Sequence, residues 1–203
     1  MNLIEHIHTG YIHRRRTQVL SQHLSALIPH CARVLDVGCG DGLLSSQISE
    51  TRPDVQIMGL DVFIRSQHYI AVAQFDGYTI PHNNSTFDVV MLVDVLHHTQ
   101  DPMILLHEAA RVTRNVIVIK DHLSDGILAG PTLRLMDRIG NARHGVTLPY
   151  NHWPQNRWFE AFQQLGLTAA VWKKDLKLYP RLLDVAFGRS LHFIARLDLK
   201  LNL

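Results

Sequence analysis

A chain of 203 residues, 46% hydrophobic and 19% charged, has room for one domain with a full core. Its formal net charge of +2 is too small to argue for a nucleic-acid or membrane partner, and its 14 histidines add charge only below neutral pH. No apolar run reaches the roughly 18 residues of a membrane span, histidines and a glutamate interrupt the amino terminus where a signal peptide would be continuous, and a cytoplasmic location is expected.

In chain order, Val19, Leu20, Leu24, Leu27 and Ile28 recur at helical spacing, and Pro29 closes that run. The segment 1–30 is expected to form an amino-terminal lid helix. Arg33 to Val37 is a short β-branched run closed by glycines, which predicts a buried strand. Cys31 and Cys39 flank that strand, which holds them too far apart for a disulfide. A helix is predicted over Gly42 to Ser49, and strands over Val55 to Asp61, Ala71 to Phe75 and Phe87 to Val93. A helix over Met103 to Val112 and a fifth strand over Val116 to Lys120 follow.

After Lys120 the rhythm breaks for about thirty residues, then resumes with a helix over Trp153 to Leu165 ended by Gly166. Strands over Leu167–Lys173 and Leu191–Leu197 read as an antiparallel pair at the sheet edge. Alternating strands and helices indicate an α/β fold, a parallel sheet covered by helices on both faces.

The most informative stretch is Val34-Leu-Asp-Val-Gly-Cys-Gly-Asp-Gly42. Glycines after a strand let the backbone turn sharply and approach a ligand, and the amides opening the next helix favour an anionic group. A dinucleotide fingerprint would need Gly or Ala where Leu43 stands. Asp36 would also repel a pyrophosphate, yet is compatible with a ligand that carries an ammonium group and no phosphate.

This segment resembles motif I of class I S-adenosylmethionine (SAM)-dependent methyltransferases. The stretch Phe87-Asp-Val-Val-Met-Leu-Val-Asp-Val-Leu-His-His98, with Asp101-Pro102 and Glu108-Ala-Ala-Arg-Val112, is similar to the branch that modifies ubiquinone, menaquinone and other small molecules, the type 11-like branch. The likeness covers about Val34 to Lys120. It implies a Rossmann-like three-layer sandwich with a seven-stranded, mostly parallel sheet in the order 3-2-1-4-5-7-6, strand 7 antiparallel.

The resemblance also implies SAM as cofactor and its demethylated form as product. It assigns Asp36, Gly38, Cys39, Gly40 and Gly42 to the cofactor loop. Asp61, beside Val62, stands where the family binds the ribose hydroxyls. Asp76, beside Gly77, stands where it receives the adenine amino group, although Asp-Gly is also a common turn pair. Asp94 either faces the cofactor's methionine end or caps the next turn. The Lys-Pro-Gly-Gly-like turn of many relatives is missing, because Arg111 to Asn115 leads straight into the fifth strand.

Acceptor residues are expected from two regions over the carboxyl edge of the sheet. One is the amino-terminal segment with Tyr11, His13, Arg14, Arg15 and Arg16, where a lid arginine could pair with the cofactor's carboxylate. The other is a cap insertion over 121–153, whose composition and length suggest function. Tyr11, His98, Tyr150, Asn151 and His152 are the acceptor-site candidates. His122 and His144 are the candidate bases, since histidine suits proton removal near neutral pH.

No H-E-x-x-H or C-x-x-C pattern is present, and no metal is expected. The fourth strand also lacks a following Asn/Asp-Pro-Pro-Tyr/Phe sequence, which with the low charge points to a small-molecule acceptor. The competing readings are a catalytically silent SAM- or partner-binding module and, opposed by the glycine spacing, an NAD-dependent oxidoreductase.

Overall fold

A computed structural model describes residues 3–141, 149–188 and 190–199. Helix α1 (Leu3–Ser25) leads into β1 (Arg33–Val37), α2 (Leu43–Thr51), β2 (Gln56–Asp61), β3 (Val72–Gln74) and β4 (Phe87–Val93). A single 3-10 turn (Leu96–His98) precedes α3 (Pro102–Val112), β5 (Thr113–His122), α4 (Ala129–Asn141), α5 (Gln155–Gln164) and β6 (Leu167–Lys173). A short helical passage, Arg181–Leu183 and Asp184–Gly188, comes before β7 (His192–Leu199).

The seven strands form one sheet in the order β3-β2-β1-β4-β5-β7-β6, as the family likeness implied. Strands β1 to β5 run parallel, and β7 pairs antiparallel with both β5 and β6. Both faces are covered, so residues on a strand alternate between two cores. Leu35, Val90, Leu92, Ile117, Ile119 and Phe193 pack against Leu105, Leu106 and Ala109 of α3 and Trp158 and Phe162 of α5. Val34, Val89, Met91, Val116, Val118 and Ile194 pack against Leu20 and Leu24 of α1 and Ile48 of α2. This period of two with both sets apolar is why the strands read as continuous hydrophobic runs.

Helix α1 lies inside the segment 1–30 and extends the periodic stretch at 17 back to Leu3. Two expectations needed adjusting. Strand β5 runs on past Lys120, because its pairing with β7 continues through Asp121↔Phe193 and His122↔His192, so those two residues belong to the sheet and not to the cap. Within the cap lies a helix, α4, with Pro131 in its first turn where a missing N–H costs nothing. It packs through Ala129, Leu133 and Met136 on Leu191. Among the described residues, no helix is long and apolar enough to cross a membrane.

Candidate cofactor and acceptor site

The turn after β1 is held by backbone bonds. The N–H groups of Gly38 and Cys39 both donate to the Leu60 carbonyl, at 2.7 and 3.1 Å. The Gly40 N–H donates to Asp61 Oδ2 at 2.8 Å, while Asp61 Oδ1 accepts from Phe63 N–H at 2.9 Å. Gly38 has φ +75°, and a Cβ there would stand 2.4 Å from Val95 Cγ2. Gly42, at φ +76°, would place one 2.4 Å from Ile70 Cγ1. Both positions therefore require glycine on two counts, conformation and space.

Asp36 lies beneath this loop, only 3% exposed, with Ser45 Oγ donating to it at 2.6 Å. Burial pushes its acid up to about 7, the Ser45 bond pulls down, and the nearby Asp61 adds to the rise. Cys39 is half-buried, and burial with Asp36 and Asp61 raises its thiol, so it is no nucleophile. Gly77, at φ +85°, sits close to the exposed Val62. Asp76 Oδ1 accepts from Tyr78 N–H and Thr79 N–H at 2.8 and 2.6 Å, and these bonds lower its acid. The turn role foreseen for Asp-Gly is thus present, with the second carboxylate oxygen beside it.

At the end of β4, Asp94 adopts φ +57° and pairs with two cations. Arg16 Nη2 of α1 reaches it at 2.5 Å, and the fully buried Lys120 of β5 donates to its other oxygen. Burial alone would raise the Asp94 acid, but Lys120 and Arg16 outweigh it and hold the group well below the usual carboxylate range. Arg16 Nε, also buried, has no hydrogen-bond partner among the described residues. Lys120 Nζ also lies 3.3 Å from His192 Nδ1, and His192 Nε2 lies 3.0 Å from the Phe187 carbonyl. The second contact requires an Nε2–H donor, so Nδ1 accepts from Lys120. His192 opens onto a cavity of about 970 Å³ that Arg15, Lys174, Lys177, Tyr179 and Arg181 also line.

The candidate bases and cap residues fall into a different cluster. His122 is 3% exposed and packs against the rings of His97, His152 and His192, at centroid distances of 4.5, 5.7 and 4.8 Å. Burial, then Lys120 and His97, pushes its imidazolium well below the ordinary value, so it is neutral at pH 7. His97 Nδ1 bonds Asp121 Oδ1 at 2.6 Å. Burial would lower the His97 imidazolium, yet Asp121, Asp94 and Asp137 together raise it. His98 packs against His97, its ring tilted at 47°, and is driven down to about 4 by burial and that neighbour.

Asn151 serves as a tie, donating to the Gln100 carbonyl at 3.0 Å and accepting from Trp153 Nε1 at 3.1 Å. His152 Nε2 meets Asp137 Oδ2 at 2.9 Å, and the Arg134 guanidinium lies over the Tyr150 ring at 5.7 Å. Tyr11 stands on α1 and is 58% exposed. His144 lies outside the described residues.

Sequence reading missed His97, Lys120, Asp121, Asp137 and His192. One signal was available: the run Asn115-Val-Ile-Val-Ile-Lys-Asp-His122 ends a wholly apolar strand on three ionisable residues, which a buried sheet accommodates only when they have partners.

With that geometry in hand, a family model described as a methyltransferase domain matches residues 11–179. The chain belongs to that methyltransferase family. This methyltransferase domain is 27% identical over 131 residues to the 27-O-demethylrifamycin SV methyltransferase of Amycolatopsis mediterranei, covering 54% of this chain and 48% of that protein. It is 32% identical over 108 residues to the ubiquinone biosynthesis O-methyltransferase of Cereibacter sphaeroides, covering 47% and 43%. The chain thus spans about half the length of these curated relatives or less. The fold matches an S-adenosylmethionine dependent methyltransferase from Mesorhizobium loti with a TM-score of 0.63 at 15% identity, covering 87% and 96% of the two chains.

Proposed function

We propose that the protein binds SAM across the carboxyl ends of β1 to β4 and transfers its methyl group to a small-molecule acceptor. The observation that carries this reading is the carboxylate of Asp61 bonded to the Gly40 N–H of the glycine turn. A pyrophosphate there would face Asp61, Asp41 and the buried Asp36, whereas a ligand with a cationic centre and no phosphate would not be repelled. Each Asp61 oxygen accepts one N–H, and a carboxylate offers about four lone-pair sites, so two remain for ribose hydroxyls. Asp76 with Gly77 and Val62 would hold the adenine end. The turn 38–42 would pass beneath the ligand's chain, and Arg16 Nε, beside Asp94, would meet its carboxylate.

The cofactor, when bound, supplies a sulfonium-activated methyl group. The protein's share of the work is then orientation, bringing an acceptor atom in line with that carbon and excluding water. Asp94 fixes Lys120 and Arg16 at this edge, and the cavity beyond His192 gives an acceptor room. His122 would act by positioning, since its ring is 3% exposed and packed against His97, His152 and His192. The lid segment 1–30 and the cap, which begins after β5 and runs to Trp153, complete the one domain of this reading.

Asp61→Ala tests it. The variant should bind SAM at least tenfold more weakly by calorimetry, because hydrogen bonds to a charged acceptor contribute about 1.5–3 kcal/mol each. Undiminished affinity would remove the ribose assignment. Mass spectrometry of small-molecule pools incubated with the protein and SAM should show a product 14 mass units heavier, about one CH₂ by the stoichiometry of methyl-for-hydrogen exchange. Tight SAM binding with no such product would leave the silent binding module as the better reading.

A further inference from the structure

We propose that His97, His122, Asp137 and His152 bind one divalent transition-metal ion of the zinc class. This site is independent of the methyl-transfer reading. One donor atom from each residue lies within 4.8 Å of every other. All four are sequestered: His97, His122 and Asp137 are at most 5% exposed, and the His152 side chain is 4% exposed. Three imidazoles and one carboxylate form a common ligand set for such ions, and ideal tetrahedral zinc at about 2.1 Å would bring the donors to roughly 3.4 Å apart. Small side-chain rotations span that difference.

The hydrogen bonding points the same way. His97 Nδ1 donates to Asp121 Oδ1 at 2.6 Å, so Nε2 is the nitrogen a metal would take. That Nε2 faces Asp137 Oδ1 at 3.6 Å. An ion placed between them would meet both atoms. The second oxygen of Asp137 meets His152 Nε2 at 2.9 Å, drawing the third element to the same point. Asp121 also lies 3.4 Å from His122 Nδ1, so one carboxylate orients two candidate ligands, the usual outer support of metal-bound histidine.

Four protein donors leave no open position, which is the pattern of a structural site and not of a catalytic one. The ligands come from the turn after β4, the end of β5, helix α4 and the segment before α5. An ion there would fasten the cap to the carboxyl edge of the sheet.

The test needs neither SAM nor acceptor. Zinc-free full-length protein is dialysed against Zn²⁺ and analysed by elemental mass spectrometry, with Co²⁺ titrated in parallel. One Zn²⁺ per chain and the intense visible band of four-coordinate cobalt are expected. His152→Ala and Asp137→Asn should each weaken Zn²⁺ binding at least tenfold, with far-ultraviolet circular dichroism of the metal-free proteins unchanged. His30→Ala is the control, because its side chain is 93% exposed and pairs with Asp54 at 3.5 Å; its affinity should match the unaltered chain. Substoichiometric metal, six-coordinate cobalt, or equal binding by all variants would overturn the proposal.

Discussion

At the carboxyl ends of β1 and β2, backbone groups provide most of the polar structure: the N–H groups of Gly38, Cys39 and Gly40 bond Leu60 and Asp61. At the ends of β4 and β5, side chains provide it, with Arg16, Asp94, Lys120, Asp121, His97, His122 and His192 linked in a continuous polar cluster. The first arrangement joins the turn after β1 to the end of β2 mainly through main-chain groups and tolerates change mainly at side-chain tips. The second is a buried charge network, in which each group is stable because its neighbours are present. The two should therefore fail differently when altered.

The sharpest contrast comes from Asp94→Asn. It leaves Lys120, fully buried, and Arg16 without their shared counter-charge, and removing one partner of a buried pair costs about 3–5 kcal/mol. Urea unfolding should record that loss, and adding Lys120→Met should restore most of it. A loss below about 1 kcal/mol would mean that these cations are hydrated, contrary to the cost expected for buried unpaired charge.

On the backbone side, Gly38→Ala should cost about 2–4 kcal/mol, from the left-handed conformation and the 2.4 Å approach to Val95. Gly126→Ala, at φ +104° with nothing within 4 Å, isolates the backbone share and should cost about 1–2 kcal/mol. Equal losses in the two variants would show that Val95 yields easily and that the turn is less tightly packed than its geometry implies.

The smallest expected effect is a pH dependence at Asp36. Its folded acid sits near 7 against an ordinary 3.8, so the folded state binds the extra proton. Stability should then fall as pH rises through 7, by about 1.4 kcal/mol between pH 6 and pH 8. Asp36→Asn should flatten that slope, with denaturant midpoints measured at both pH values. An unchanged slope would assign the dependence to the histidine cluster instead.

The contrast between the two regions also governs what could be read from the chain. The bounds of β1, β4 and β6 follow from local runs of apolar residues and stand where the sequence put them. The glycine turn is equally local, so its candidates fall together around one site. Helix α4 was missed because Gly130, Pro131 and Gly140 interrupt its periodic signal. The metal-ligating set was invisible because His97, His122, Asp137 and His152 come from four separate elements, and no spacing rule joins them. Tyr11 and Asn151 were chosen for composition; the first is exposed on α1 and the second is a tie within the cap.

The direct passage from α3 into β5 has a consequence for how this chain can vary. Val112 ends the helix and Thr113 begins the strand, with the Thr113 N–H still bonded to the Ala109 carbonyl. One residue inserted at that junction would turn the helix by about 100° or reverse the facing of the strand. Either change would remove Leu105 and Ala109, or Ile117 and Ile119, from the core they share. Lengthening and shortening should therefore be absorbed in the loops on either side of this unit, and the junction itself should behave as a fixed reading frame for the second half of the sheet.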